Sequence, residues 1–167
     1  DCPFFSDYKQ LINLDNLDFV VISTPPSTHF EIAAFFLKHN IGVLLEKPAT
    51  TNYEDLVKLI ELSKNHNTFF KVMYHWQFGS EILKFNELYD PKYIESINVC
   101  VYDDYSIDGC AIKPSKIGLG GAFIDSGINV LSMIKCWLPF NNVVLLGYES
   151  KRCNQSNLVI KADVDLL

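Results

Sequence analysis

Residues 18–24 (DFVVIST) constrain this chain more than any other stretch, being short, continuously apolar, rich in β-branched residues and closed by Pro25-Pro26. Such a run predicts a strand buried on both faces, because a half-exposed strand alternates apolar with polar residues. The same punctuation recurs downstream. Residues 29–39 have helical composition, with Ser27 or Thr28 available as a cap, and stop before Asn40 and Gly42. Residues 43–45 are the next buried strand, halted at Glu46-Lys47-Pro48. A second helix over 53–65, with Asn52 as its cap, brings Leu56, Leu59, Ile60 and Ser63 near one face, and residues 69–74 form a third strand. Strand, helix, strand, helix, strand with short links implies right-handed crossovers and a parallel sheet with helices outside. This is half of a doubly wound α/β fold, whose ligands bind beyond the carboxyl ends of the strands. Those ends are Ser23-Thr24-Pro25-Pro26, Glu46-Lys47-Pro48 and Tyr74-His75.

The texture then changes. After a helix over 81–88 and Pro91, Ile94, Ile97, Val99 and Val101 alternate with polar neighbours, which predicts a half-exposed antiparallel sheet. Gly118, Gly120 and Gly121 break the chain before an amphipathic helix over 122–137 that ends before Pro139. Residues 142–148 and 158–164 read as further strands of the same sheet. The expected organisation is therefore a partial parallel-sheet domain over 1–80 and part of an α+β open-sheet domain over 81–167.

Composition excludes several partners. Hydrophobic residues make up 49% and charged residues 20%, which argues against disorder. A net charge of −6 without clustered Lys and Arg gives no basis for nucleic-acid binding. No apolar run reaches the roughly 20 residues that span a bilayer, so no membrane partner is expected. Cys2, Cys100, Cys110, Cys136 and Cys153 show neither C-x-x-C nor Cys/His metal spacing, and read as reduced thiols of a cytoplasmic protein with no metal site. Trp76 and Trp137 read as core residues, His39 and His66 as helix-end residues.

Three segments carry chemistry: Ser23-Thr24-Pro25-Pro26-Ser27-Thr28-His29, Glu46-Lys47-Pro48, and the run from Gly120 through Asp125 to Asn129 (GGAFIDSGIN). Their order and spacing resemble the glucose-fructose oxidoreductase/inositol dehydrogenase (Gfo/Idh/MocA) family. The resemblance implies the carboxyl-terminal part of a Rossmann domain binding NAD or NADP, followed by part of a substrate domain. It implies cofactor contacts from Ser23, Thr24, Pro25, His29, Glu46 and Lys47, a small-molecule sugar substrate, and a homo-oligomer. Lys47 inherits the place of the family's E-K-P lysine beside the nicotinamide. A lysine at a strand mouth, held by a following proline, is partly desolvated and gives up its proton more easily, which suits a proton relay from a sugar hydroxyl.

The last segment resembles the family's catalytic D-x-G-x-H, with Asp125 present and Asn129 in place of histidine. Four-residue spacing puts both side chains on one helix face. An amide is no general base at neutral pH, so the proton falls to Lys47 or Asp125, with Asn129 hydrogen-bonding the sugar. The run DSGINVLS resembles members that oxidise aldoses at carbon 1, the arabinose and galactose 1-dehydrogenases. Another sugar or inositol ring dehydrogenase, or a regulator that senses sugar or nucleotide without catalysis, are the alternatives. His75 and Asp103 are candidate substrate contacts, with Asp104 beside the latter. No G-x-G-x-x-G turn occurs, so the chain reads as a piece of a longer protein, inactive in isolation and weak in cofactor binding.

Overall fold

Pro25 and Pro26 turn the first strand into the first helix. β1, Phe19–Ile22, ends just before them, and α1, Pro26–Lys38, begins with proline in its first turn and no side-chain cap. Proline is well placed there, because the first N–H groups of a helix have no intrahelical partner and the fixed φ already suits a helix. The helix therefore starts at Pro26 rather than His29, and neither Ser27 nor Thr28 caps it. The Thr28 hydroxyl lies 2.8 Å from the Pro25 carbonyl and 2.7 Å from Thr24 Oγ1.

This computed structural model describes residues 3–107, 111–113, 116, 118–138, 140 and 143–167. The chain divides into two units, one running to Met73 and the other from Tyr74. In the first, β2 (Gly42–Glu46), α2 (Tyr53–Asn65) and β3 (Phe70–Met73) follow α1. Asn52 caps α2 as expected: its Oδ1 accepts from the Asp55 amide at 2.9 Å and its Nδ2 donates to the Asp55 carboxylate at 2.8 Å. His39 and His66 occupy the C-caps of α1 and α2. The strands are parallel in the order β1-β2-β3, with Val20 opposite Val43 and Val43 opposite Phe70.

Because the strand order follows the chain, right-handed crossovers carry both helices over the same face. There Val20, Ile22, Val43 and Leu45 of the sheet pack with Phe36, Leu37 and Leu59 of the helices. The other face of β1 is not covered among the described residues: Phe19 and Val21 are 51% and 56% exposed. The expectation of a strand buried on both faces is corrected accordingly.

In the second unit, a tight turn over His75–Phe78 leads into α3, Ser80–Leu88. Trp137 lies against Phe85, ring centroids 4.9 Å apart, and donates from Nε1 to Asn86. Residues 94–105 form no strand, against the expectation from their alternation. Alternation decides which side chains face inward, but a ladder also needs a partner backbone in register. The ladders present among the described residues of this unit are two separate antiparallel pairs: β4 (Ser106–Ile107) with β5 (Ala111–Ile112), and β6 (Leu145–Arg152) with β7 (Val159–Leu166). The expected single sheet is thus divided. Asn142, where its second strand was expected to start, lies outside the described residues.

The glycine segment leads into a composite helix rather than one regular helix over 122–137. A wide π-turn, Phe123–Gly127, passes into α4, Ile128–Ile134. Gly127 permits the wide turn, since a Cβ there would sit 2.7 Å from the Phe123 ring. Gly121 has φ +94°, and a Cβ on it would meet the Val159 carbonyl oxygen at 2.8 Å, so the backbone of β7 packs directly on the start of this helix. Pro139, its expected terminator, lies outside the described residues.

Cys100, Cys136 and Cys153 are free thiols, while Cys2 and Cys110 lie outside the described residues. Cys153, buried in the β6–β7 turn, has its sulfur approached by the Ser156 hydroxyl and by the Ser156, Gln155 and Ile112 amides, which bring the thiol down to about 7. A folded value below the unfolded one near 8.5 means that the unfolded chain binds more protons in this range. The stabilisation from this thiolate is then complete above the unfolded value and lost as pH falls through about 7. Between pH 6.5 and pH 9 the melting temperature of the native protein is expected to rise relative to that of Cys153→Ala. Parallel profiles for the two proteins would show that the thiolate contributes nothing.

Candidate functional site

Strands that run parallel end on one edge, and β1 and β2 deliver their residues there. Ser23, Thr24 and Pro25 follow β1 and are exposed; Glu46 closes β2 and Lys47 follows it, both half-buried. The Lys47–Pro48 peptide is cis. His29, on the first turns of α1, is fully buried. Its Nε2 lies 2.8 Å from the Thr24 carbonyl oxygen and its Nδ1 2.9 Å from that of Pro48. A single ring therefore ties the turn after β1 to the turn after β2, and both of its nitrogens are engaged inside the protein. The structure thus places His29 beneath the expected cofactor contacts, as the tie that holds them.

The second unit carries the other candidates. His75 opens the turn after β3 and is exposed. This turn is fastened to α4, with Gln77 Nε2 donating to the Ser132 carbonyl at 2.9 Å. Asp125 lies in the π-turn, where its Oδ2 accepts from the Tyr105 hydroxyl at 2.8 Å. Tyr105 is 1% exposed. Burial first, then the Asp125 carboxylate as acceptor and as charge, hold its phenol well above the usual range. Asp103 accepts from the Ser126 hydroxyl at 2.8 Å and pairs with Lys116 at 2.8 Å, and Lys116 also sits 4.9 Å above the Tyr105 ring. Asp104 pairs with Lys113. Asp103, a candidate sugar contact, is thus engaged in a brace between the 103–105 segment and the π-turn.

Asn129 is 6% exposed. Its Nδ2 donates to the Asp125 carbonyl at 3.3 Å, while its Oδ1, fully buried, has no hydrogen-bond partner among the described residues. A buried amide oxygen without a donor carries a desolvation penalty that a ligand hydroxyl would relieve. Tyr105 and Lys116 were missed in the sequence. The available signal was their neighbour: Asp103 and Tyr105 are two apart on extended chain, a spacing that puts side chains on one side. Among the described residues no group of His, Cys, Asp and Glu could hold a metal ion, and no helix is long and apolar enough to cross a membrane.

A three-stranded parallel sheet with its helices on one face and its turns gathered on the carboxyl edge is part of a doubly wound dinucleotide-binding domain, as expected from the sequence. Residues 1–74 match the model of the Gfo/Idh/MocA oxidoreductase family, described as having an NAD-binding Rossmann fold. An uncharacterised oxidoreductase of Schizosaccharomyces pombe is 31% identical over 83 residues, covering 50% of this chain and 22% of the relative. The scyllo-inositol 2-dehydrogenase (NADP+) IolU of Bacillus subtilis is 35% identical over 60 residues, covering 36% of this chain and 18% of that protein. The matched stretch is thus about a fifth of either relative's length. The crystal structure of KijD10, a 3-ketoreductase from Actinomadura kijaniata in complex with TDP-benzene and NADP, superimposes with a TM-score of 0.71 at 18% identity. The alignment covers 96% of this chain and 48% of KijD10, and shows a common fold.

Proposed function

We propose that this protein oxidises an aldose at carbon 1 to the lactone, using NAD or NADP. The observation that carries this reading is the buried Asn129, whose Oδ1 lacks a donor among the described residues, one helical turn from Asp125. An amide oxygen in that state suits a sugar hydroxyl, and it accompanies catalysis in which no histidine is needed as base. The anomeric hydroxyl is more acidic than an ordinary alcohol, so less is asked of the proton acceptor.

The cofactor has a fitting ledge in this chain: the exposed Ser23-Thr24-Pro25 turn and the half-buried Glu46-Lys47 pair stand at the carboxyl edge of a parallel sheet, where such folds bind dinucleotides. These residues would hold it, and when bound it takes up hydride from the sugar carbon. Lys47 takes the proton of the hydroxyl on that carbon. Asp125, held by Tyr105, accepts a hydrogen bond from a neighbouring hydroxyl, and Asn129 orients the ring. His75, exposed at the end of β3, is a further proposed sugar contact. The name of IolU keeps an inositol ring dehydrogenase as the second reading.

Reduction of NAD and of NADP by the longer protein of which this chain is expected to be a piece, followed by near-ultraviolet absorbance with a panel of aldoses and inositols, tests the proposal, with the 167-residue chain beside it as the inactive control. Turnover of an aldose with a lactone as product is expected. A ketose or inosose product would replace carbon-1 oxidation with ring oxidation. A folded protein that binds cofactor and turns over nothing would be a sensor.

A further inference from the structure

We propose that Tyr105 is the positioning residue for Asp125: its buried hydroxyl fixes the carboxylate so that it presents one orientation to the sugar. The inference rests on the dehydrogenase reading above and deepens it. Four observations on residues of the second unit support it. The Tyr105 hydroxyl donates to Asp125 Oδ2 at 2.8 Å, the usual length of an O–H···O hydrogen bond. The ring is 1% exposed, so the phenol has no alternative partner in water and no freedom to swing away. Lys116 stacks 4.9 Å over the ring while pairing with Asp103, so the ring is held from its face as well. Asp103 in turn accepts from Ser126, the residue after Asp125. The 103–105 segment therefore grips two consecutive residues of the π-turn, one through each of its side chains on that side.

This arrangement answers a need that the wide turn creates. A π-turn is a local departure from the regular helix, and its side chains are not fixed by the helix ladder alone. A carboxylate on it requires an outside anchor if it is to meet a substrate in one geometry. Tyr105 supplies that anchor without touching substrate, and the raised ionisation of its phenol agrees with a hydroxyl spent on a buried carboxylate contact.

Tyr105→Phe keeps the ring in place and removes only the donor. The expected result is a kcat lower by about tenfold to a hundredfold, an unchanged KM for the cofactor, and no further loss when the change is added to Asp125→Asn, since a misplaced carboxylate and an absent one fail in the same step. A second readout needs neither cofactor nor turnover. In the near-ultraviolet difference spectrum at neutral pH, the tyrosine band is expected to shift in Asp125→Asn, and that shift to be absent when Asp125→Asn is made on Tyr105→Phe, because the hydroxyl that donates to the carboxylate is the one perturbed. A Tyr105→Phe enzyme within twofold of the native kcat, losses that multiply in the double variant, or a tyrosine spectrum indifferent to Asp125→Asn would each overturn the inference. Full turnover in Asp125→Asn would overturn the inference and leave the dehydrogenase reading standing, whereas no turnover in the native protein would overturn that reading.

Discussion

Lys47→Ala is expected to lower kcat with an aldose by about a thousandfold, equivalent to about 4 kcal/mol of transition-state stabilisation. The side chain leaves the chain immediately after β2, outside the apolar cluster beneath α1 and α2, so its removal opens no cavity in that core. The melting temperature should accordingly stay within about 3 °C of native, a change of less than 1 kcal/mol. Lys47→Arg separates charge from proton transfer. A guanidinium keeps the positive charge and does not give up a proton in proteins, so it preserves electrostatic attraction and loses the relay. If Lys47 moves a proton, the arginine variant should fall by at least about a hundredfold, close to the alanine variant. If it serves only as a charge, arginine should recover most of the activity. Native turnover in both variants would remove this lysine from the chemistry and transfer the proton to Asp125.

Where the sequence was informative, and where it was not, follows from which interactions each element depends upon. α2 was legible to its ends because every determinant is local: the Asn52 cap, the apolar spacing around Leu59 and the closing His66 all lie within the helix or beside it. β1 was legible as a strand, but burial of its second face depends on what lies against Phe19 and Val21, and no local pattern encodes that. The alternation over 94–101 matched the half-burial of Ile94, Ile97 and Val99 but not the exposed Val101, and gave an incorrect element, since strand pairing belongs to two segments and only one was being read. The candidate site divides in the same way. Asp125 and Asn129 stood out through their motif, yet the bond from Tyr105 and the partnerless Oδ1 of Asn129 are properties of three-dimensional proximity. His29 was visible as part of a cofactor motif, and its role as a tie appears only when the carbonyls of Thr24 and Pro48 are seen on either side of its ring.

That tie makes His29→Ala a strongly destabilising change in the first unit. The substitution removes the ring that both carbonyl oxygens face, with the N–H it offers between them, and empties the volume of a fully buried side chain. A buried polar group deprived of its partner costs about 1–3 kcal/mol, and truncation of a large buried side chain adds a cavity term. Water entering the vacated space satisfies part of this need, which brings the expected loss to about 3 kcal/mol and the fall in melting temperature to about 10 °C. His29→Gln, able to reach one carbonyl and filling more of the space, should lose about half as much. Because the same ring anchors the turns that carry Thr24 and Lys47, the alanine variant should also bind NAD or NADP about tenfold more weakly at temperatures where it is still folded, measured by isothermal titration. The two readouts discriminate. Weaker cofactor binding at an unchanged melting temperature would make His29 a direct cofactor contact, whereas a lower melting temperature with full affinity would confine it to the core and leave the cofactor turns held by their prolines alone.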